Sequence, residues 1–307
     1  MAAGDRWIDL LDPTAEELKA KLPHEVHDRA LEQLLAPAEH RDDPRPKLES
    51  QGDYVFGVIL IPVAVKEEDL VFYQEVDLVL TRDALVTVRK SPGDGRPPWD
   101  PTDAQRACRD DDNVAKFAYH LVDDVAERFL DLVDDVNEEI DELEDHVEDW
   151  DAERVRMRLS ALRHDLLHIR RTLAPTRDAV REVVDNRIEF EGGEVFTHDV
   201  ELNFGNAYDK LLRAADNLEL ARDLVGGVRD YHVAKVANDQ NEVMKRLAVI
   251  ATVFLPLAFL TGFWGQNFSY LVLHIETGRT AFWLLGIGVE LLAAAGLFAL
   301  IKWRRWL

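Results

Sequence analysis

NEVMKRLAVIATVFLPLAFLTGFWGQNF, residues 241–268, is the stretch that decides the fold of this chain. It begins polar, is apolar over residues 247–264, and ends in a tripeptide of Gly265, Gln266 and Asn267. At 1.5 Å of rise per residue, a helix of about 18 apolar residues is roughly 27 Å long, enough to cross the hydrocarbon core of a bilayer. The stretch therefore predicts a first transmembrane helix that ends at the tripeptide.

A second apolar run covers residues 281–301 and is followed by a basic tail, residues 302–307. With the loop of residues 265–280, the two runs predict a membrane hairpin. Lys245 and Arg246 precede the first run and further basic residues lie in the tail, whereas the loop contains a single arginine. The positive-inside rule then predicts a multi-pass protein of the cell membrane, with both termini cytoplasmic and the loop outside.

The composition is strongly acidic. The chain has 307 residues and a formal net charge of −23, with 59 Asp and Glu against 36 Lys and Arg. Such a surface repels nucleic acids and anionic headgroups, so we expect neither as a partner. We favour the interpretation that this charge reflects a prokaryote with a salt-rich cytosol, where salt screens the repulsion between acids. The functional interpretation is a surface that attracts cations. The lone Cys108 predicts no internal disulfide, and the N-terminal residues lack the pattern of a signal peptide.

Residues 1–100 predict a cytosolic α/β subdomain in which a mixed sheet carries a few helices. Thr14 followed by Glu17 is a capping-box pattern that predicts a helix start, and a second short helix is predicted at residues 26–35. The predicted strands are residues 6–10, 54–65, 70–80 and 84–89. Neither a phosphate-binding glycine loop nor a catalytic constellation occurs in the sequence. We therefore expect a protein that is not an enzyme and needs no cofactor beyond transported and regulatory metal ions.

Residues 101–193 predict two long helices that pack as an antiparallel hairpin. Apolar residues recur at spacings of three and four from Val114 to Val147, and Asp151 is placed to cap the second helix. The outer face of the first helix is acidic, and the second helix is rich in arginine. We favour charge pairing between the two arms plus a solvated face. The alternative is a cation-attracting rim near a pore entrance.

Residues 194–246 predict a stalk helix that begins near residue 197 and continues into the first transmembrane helix. The combined helix would have about 65 residues and a length of roughly 100 Å. Its predicted apolar stripe is Leu202, Leu211, Leu218, Val225, Val228 and Val236. A helix of this length cannot bury itself alone, so it implies self-association around a common axis.

One face of the first transmembrane helix changes from an amide to large apolar and then to small side chains. At spacings of three and four, this face contains Asn241, Met244, Leu247, Ala251, Leu255, Ala258 and Gly262. Around a shared axis these residues would line a channel, with Met244 and Leu247 as hydrophobic rings that gate by dewetting. The pattern equally fits ordinary helix packing, because small residues allow close approach in membranes.

The tripeptide that ends this helix also has two interpretations. A ring of Gln266 and Asn267 side chains would offer neutral oxygens, which can hold Mg²⁺ through its hydration shell without stripping it. Gly265 would permit a tight exit of the chain. The alternative is a simple helix stop, since Gly and Asn are typical of helix C-termini.

Several separate segments resemble, in the same order, the CorA-type divalent metal ion transporters. They are WIDLLDPTAEEL, DYVFGVILIP, LVTV, NEEIDELE, LRHDLLHIRRTLAPTRD and the stretch quoted above. The resemblance implies an α+β cytosolic funnel domain, a long stalk helix and a transmembrane hairpin, assembled as a homopentamer that imports Mg²⁺ and sometimes Co²⁺ or Ni²⁺. It also implies that Gly265, Gln266 and Asn267 form the selectivity filter, and that Asn241, Met244 and Leu247 form the inner amide ring and gate.

The resemblance has departures that bear on the transported ion and on its control. Gln266 stands where the family usually has methionine, and Ala258 replaces a threonine that would face the pore. A zinc-transporting branch of this fold also differs at the middle filter position, so a zinc transporter, with or without proton coupling, is an alternative. Relatives close when cytosolic Mg²⁺ bridges acids between subunits, and Asn206 stands at one such position. The candidate regulatory residues are Asp209, Asp216 and Asp230.

Glu290 lies in the middle of the second apolar run, where a carboxylate is costly and by default marks a functional hypothesis. It either faces the first helix or is protonated, and proton coupling is the functional interpretation. A function of another class is a non-conducting, membrane-anchored metal sensor. The amide rings at both ends of the first span argue against it, because an anchor needs none.

Overall fold

The structure is a computed structural model, and it describes residues 6–23, 26–37, 45–65, 70–92, 95–191, 193, 195–266, 269–275 and 278–303. The chain divides into two compact units, Met1–Arg229 and Asp230–Leu307. The boundary falls inside one long helix. The first unit therefore contains the sheet, the shorter helices and the N-terminal part of that helix.

The first unit contains a five-stranded mixed sheet with the order β1-β5-β4-β3-β2. The strands are β1 (Trp7–Leu11), β2 (Lys47–Ser50), β3 (Val55–Val65), β4 (Leu70–Leu80) and β5 (Leu85–Arg89). β1 and β5 are parallel, and the other pairs are antiparallel. The mixed sheet and its four predicted strands are confirmed to within one residue at each end, and β2 is an additional strand that was not predicted.

Two short helices cover one face of the sheet. They are α1 (Ala15–Lys21) and α2 (Asp28–Leu35). The predicted capping box is confirmed, because the Glu17 amide donates to Thr14 Oγ1 at 3.3 Å and the Thr14 amide donates to Glu17 Oε2 at 3.0 Å. Leu18 of α1 and Leu34 of α2 are buried in one apolar cluster with the sheet, so this cluster holds both helices in place.

The other helices of the first unit pack around a larger apolar core. They are α3 (Thr102–Ala107), α4 (Val114–His146), α5 (Ala152–Val184) and the first part of α6 (His198–Trp264). Asp151 caps α5 as predicted, since its Oδ1 accepts from the amides of Glu153 and Arg154 at 3.1 and 3.0 Å. The connection at residues 147–151 is short, so α4 and α5 run antiparallel.

The long helix α6 has 67 residues, and its predicted start and unbroken course are confirmed. Its buried stripe in the first unit is Val200, Phe204, Ala207, Leu211, Ala214, Leu218, Ala221, Val225 and Val228. The spacings alternate between four and three, which is a strict seven-residue repeat. The predicted stripe is therefore wrong at Leu202, which is 59% exposed, because Phe204 occupies the position that continues the repeat.

Charge pairing between α4 and α5 is present at Arg158, whose guanidinium lies 3.1 Å from Glu139. Other arginines of α5 pair along their own helix instead. Arg170 of α5 lies 3.2 Å from Glu219, so this arm also pairs with α6. The predicted pairing between the arms is thus one part of a network that includes the stalk.

Cys108 follows α3 and is half-buried. Its thiol lies 3.5 Å from the Ala104 carbonyl oxygen, within hydrogen-bond range for sulfur. Burial raises the pKa of the Cys108 thiol to about 12, and the nearby Asp112 carboxylate acts in the same direction. The thiol therefore stays protonated at neutral pH.

The second unit contains the rest of α6 and a further apolar helix, α7 (Arg279–Trp303), with π-helical turns at Phe282–Gly288. By length and composition, both helices are apolar enough to cross a membrane. Their most apolar parts are almost entirely exposed within the chain, which differs from the core helix of a soluble protein. Both apolar helices agree with the predicted spans. The membrane hairpin itself stays a prediction.

Three charged side chains are buried together where the sheet faces α2. They are Lys90, Glu75 and Asp77. Lys90 Nζ pairs with Glu75 Oε1, lies 3.0 Å from Asp77 Oδ2 and donates to the Gln33 carbonyl oxygen of α2 at 3.1 Å. Glu75 and Asp77 are two residues apart on β4 and so point to the same face. The group holds two carboxylates against one ammonium.

Asp77 is the pH-sensitive member of this group. Burial raises the pKa of Asp77 to about 7, while the Lys90 charge opposes the rise and the Glu75 charge adds to it. A carboxyl group whose pKa is higher in the folded chain than in the unfolded chain favours folding while it is protonated. This contribution is complete below the ordinary pKa of 3.8 and is lost as the pH rises through about 7.

We expect Asp77→Asn to stabilise the protein more at pH 8 than at pH 5, because it removes a buried charge that forms only at the higher pH. Between pH 5 and about 7 the folded chain keeps a proton that the unfolded chain has lost, so the difference in stabilisation between the two pH values is at most about 3 kcal/mol. The thermal midpoint of the full-length protein in detergent, followed by circular dichroism at both pH values, measures the effect. The control Asp53→Asn is exposed and should show no such difference. Equal pH dependence of wild type and Asp77→Asn would contradict the assignment.

Candidate functional site

The predicted pore face lies on α6 within the second unit, and all of its residues are helical and exposed in the single chain. They are Asn241, Met244, Leu247, Ala251, Leu255, Ala258 and Gly262. Met244 and Leu247 are 59% and 60% exposed, and Leu255 is 75% exposed. Phenylalanines on other sides of the same helix are also exposed, so exposure alone does not separate a channel lining from a surface that faces lipid.

α6 ends at the predicted tripeptide. The Gly265 amide donates to the Thr261 carbonyl oxygen at 2.9 Å, and the Gln266 amide donates to the Phe263 carbonyl oxygen at 3.2 Å. These bonds close the last turn, so the helix stops at Gly265 and Gln266, a role compatible with a filter. Asn267 lies outside the described residues.

Gly265 matters for its size and not for a left-handed backbone. Its φ is not in the positive range. A Cβ atom at this position would lie 3.3 Å from the Thr261 carbonyl oxygen, closer than ordinary van der Waals contact. The tight exit expected of glycine is thus a close approach of the chain to its own last helical turn.

The candidate regulatory acids Asp209, Asp216 and Asp230 are exposed on α6. Asp209 and Asp216 are seven residues apart on the side opposite the buried stripe, with Arg213 between them. In the described part of the chain, no group of three or more His, Cys, Asp and Glu side chains is arranged to hold a metal ion. One chain therefore presents these acids on a surface and does not gather them into a site.

An ion-pair cluster links the acidic helix α4 to α6 and was not predicted. Lys210 Nζ donates to Asp123 Oδ1 at 2.7 Å and to Glu127 Oε1 at 2.8 Å. Burial alone would lower the pKa of Lys210, but the hydrogen bonds to the two carboxylates outweigh it and raise the pKa. The signal in the sequence was a basic residue on the stalk together with the acidic face of α4. The pairing was missed because Asp123 and Glu127 lie far from Lys210 along the chain.

Glu290 faces the first apolar helix, as one of the predicted alternatives requires. It lines a cavity of about 370 Å³ between the end of α6 and the start of α7. The polar lining residues are Thr261, Trp264 and Glu290. Trp264 is nearly opposite Gly262 on α6, because each helical residue advances by about 100°. The cavity therefore lies behind the predicted pore face.

The family model described as "CorA-like Mg2+ transporter protein" matches residues 3–303. The cobalt/magnesium transport protein CorA of Thermotoga maritima is 28% identical over 250 residues, covering 80% of this chain and 68% of that relative. The zinc transport protein ZntB of Photorhabdus laumondii is 27% identical over 151 residues, covering 48% of this chain and 41% of that relative. The similarity predicted from separate segments thus extends over nearly the whole chain.

The solved structure of the CorA magnesium transporter from Methanocaldococcus jannaschii is similar with a TM-score of 0.79. At 20% identity, the comparison covers 98% of this chain and 91% of that chain. Such a likeness shows the fold alone. It confirms the mixed sheet with helices, the long helix and the C-terminal apolar helix.

We expect Lys210→Met to lower the stability of the protein by about 1 kcal/mol, because Asp123 and Glu127 would lose the cation between them. The thermal midpoint of the full-length protein in detergent at low salt measures the change, which high salt should reduce by screening. Lys19→Met, on an exposed position of α1, is the matched control and should have little effect. Equal midpoints for the two variants would show that the cluster does not stabilise the fold.

Proposed function

Because the chain belongs to the family of CorA-like Mg²⁺ transporter proteins, we propose that it is a channel-like membrane transporter that imports hydrated divalent cations, with Mg²⁺ as the main ion. Members of this family are ion transporters and not enzymes. The observation that carries the proposal is the pore face of α6, whose members are all exposed on one side of an apolar, membrane-length helix. Such a face lines a channel once several copies surround a common axis.

The proposed assembly is a homopentamer in a lipid bilayer. Ala251, Ala258 and Gly262 let neighbouring helices approach closely, while Met244 and Leu247 narrow the cytoplasmic end to a hydrophobic gate. Asn241 places an amide ring below that gate. Amide, large apolar and small side chains follow one another along this face. A helix that faced only lipid would not need this order, so the order supports the proposed arrangement.

The proposed filter is the ring of Gly265, Gln266 and Asn267. Side-chain amides are neutral, and their oxygens accept hydrogen bonds from the water shell of Mg²⁺, so they can bind the hydrated ion without trapping it. The inward driving force is the membrane potential, about 4.6 kcal/mol for two charges at 100 mV. Selection of a hydrated ion needs no charged ligand, which agrees with the neutral character of the tripeptide.

Cytosolic divalent cations are proposed to hold the channel closed. Asp209, Asp216 and Asp230 are exposed, and within the described chain no metal-binding group gathers them. A site completed by a neighbouring subunit would bring two acidic surfaces together around the ion and offset their repulsion. Loss of the ion would restore that repulsion and loosen the stalks.

A second candidate is a zinc transporter of the same fold, with or without proton coupling. The 27% identity to the zinc transport protein ZntB over 151 residues favours it, as does Gln266 at the middle filter position. Zn²⁺ prefers nitrogen and sulfur ligands, which the tripeptide lacks, so we place Mg²⁺ first.

Uptake of ions into liposomes that contain the purified protein and a Mg²⁺-sensitive dye tests the proposal. We expect fast Mg²⁺ entry, and we expect Mg²⁺ inside the liposomes to slow it. Asn267→Ala should reduce the entry rate at least tenfold, because the ring loses its contacts with the water shell of the ion. Parallel assays with Zn²⁺ and Co²⁺ rank the ions. Zn²⁺ entry without Mg²⁺ would favour the second candidate. If correctly assembled oligomers conduct no ion, the remaining interpretation is a membrane-anchored metal sensor.

We expect Gly265→Ala to lower the maximal uptake rate about threefold or more while the oligomer still assembles. The added Cβ would press on the Thr261 carbonyl oxygen at 3.3 Å and displace the exit of the filter. Gly296→Ala is the matched control, because a Cβ there meets nothing within 4 Å. Similar rates for both variants and the wild type would show that the filter tolerates this displacement.

A further inference from the structure

The indole of Trp264 is the last side chain before the tripeptide, and its N–H lacks a partner in the part of the chain that the structure describes. Nε1 is buried and has no hydrogen-bond acceptor within the described residues. An indole N–H is a donor only, and leaving such a group buried and unpaired costs about 1–3 kcal/mol. The ring also packs edge-on against Phe263, with centroids 5.4 Å apart, so it is held within the last turn of α6. A nearby acceptor would therefore fix both the ring and that turn.

The cavity beside Trp264 contains such acceptors. Glu290 and Thr261 line it together with Trp264, and its volume of about 370 Å³ has room for several waters. Thr261 Oγ1 lies 2.7 Å from the Leu257 carbonyl oxygen, so its hydrogen is used within the helix and it can only accept from the cavity. The remaining side chains around the cavity are apolar, which leaves the indole N–H as the natural donor to the Glu290 carboxylate.

The backbone of α7 is adapted to this position of Glu290. Phe282, Gly286 and Glu290 all line the cavity, at spacings of four residues. In a regular α-helix such positions drift by about 40° at each step, whereas the wider π-helical turns at Phe282–Gly288 keep them closer to one line. Gly286 has no side chain, which leaves the space open in front of the carboxylate.

We propose that Glu290 is a positioning residue: its carboxylate accepts, through water in the cavity, the hydrogen bond of Trp264 Nε1 and thereby fixes the last turn of α6 that carries Gly265 and Gln266. The inference rests on the proposed transport function for its effect on flux. It differs from proton coupling, because a neutral amide at position 290 can accept the same bond. The charge of Glu290 is then dispensable and its acceptor is not.

A double-mutant cycle on the full-length protein tests the link with two independent readouts. The variants are Trp264→Phe, which removes the donor, Glu290→Leu, which removes the acceptor, their combination, and Glu290→Gln, which keeps an acceptor. Trp283→Phe, an exposed tryptophan of α7 outside the cavity lining, is the matched control. The readouts are the thermal midpoint of the oligomer in detergent and the rate of Mg²⁺ uptake into liposomes over a range of Mg²⁺ concentrations.

We expect each of the two disrupting variants to lower the maximal uptake rate on the order of fivefold, with an unchanged half-saturating concentration. In both readouts the double variant should be no more impaired than the more impaired of the two single variants. Glu290→Gln should match the wild type. Additive effects in the thermal cycle would overturn the link, even if the wild type conducts no ion and the proposed function fails. Loss of uptake in Glu290→Gln would overturn it in favour of proton coupling.

Discussion

The structure depends on the hydrogen bonding of one continuous helix backbone, α6. In hydrocarbon no water can satisfy peptide groups, so a chain that enters a bilayer must pair them internally. α6 does this over 67 residues, first with a heptad stripe buried in the first unit and then with apolar side chains exposed in the second. Its end is equally governed by peptide groups, since the amides of Gly265 and Gln266 close the last turn. The position proposed for ion selection is therefore where this backbone pairing stops.

Charge is the second organising feature of the molecule. Three basic residues pair with acids where elements meet: Lys90 between the sheet and α2, Lys210 between α4 and α6, and Arg158 between α4 and α5. Acids outnumber bases by 59 to 36, so the chain keeps a large excess of carboxylates even if every basic residue pairs with one acid. Two explanations were considered for this excess, a salt-rich cytosol and the attraction of cations. In both of them, cations from the solution gather at the acidic surface and screen its charges.

Sequence patterns predicted those elements whose signals are local. The capping box of α1 and the strands β3–β5 follow from neighbouring residues, and the pattern of α6 follows from its composition. β2 was missed because its four residues form a strand only through pairing with β3. Leu202 and Phe204 were confused because both are apolar, and only packing decides which is buried. The juxtaposition of Trp264 and Glu290 could not be predicted either, since it depends on how two separate helices meet.

The single cysteine of the chain has a practical consequence. Cys108 is half-buried and its thiol is protonated at neutral pH, whereas the reactive species in alkylation and disulfide exchange is the thiolate. We therefore expect the natural chain to react slowly with thiol reagents. A cysteine introduced elsewhere would be the dominant labelling site, so spin labels or fluorophores could report on a chosen helix face in an otherwise unmodified protein.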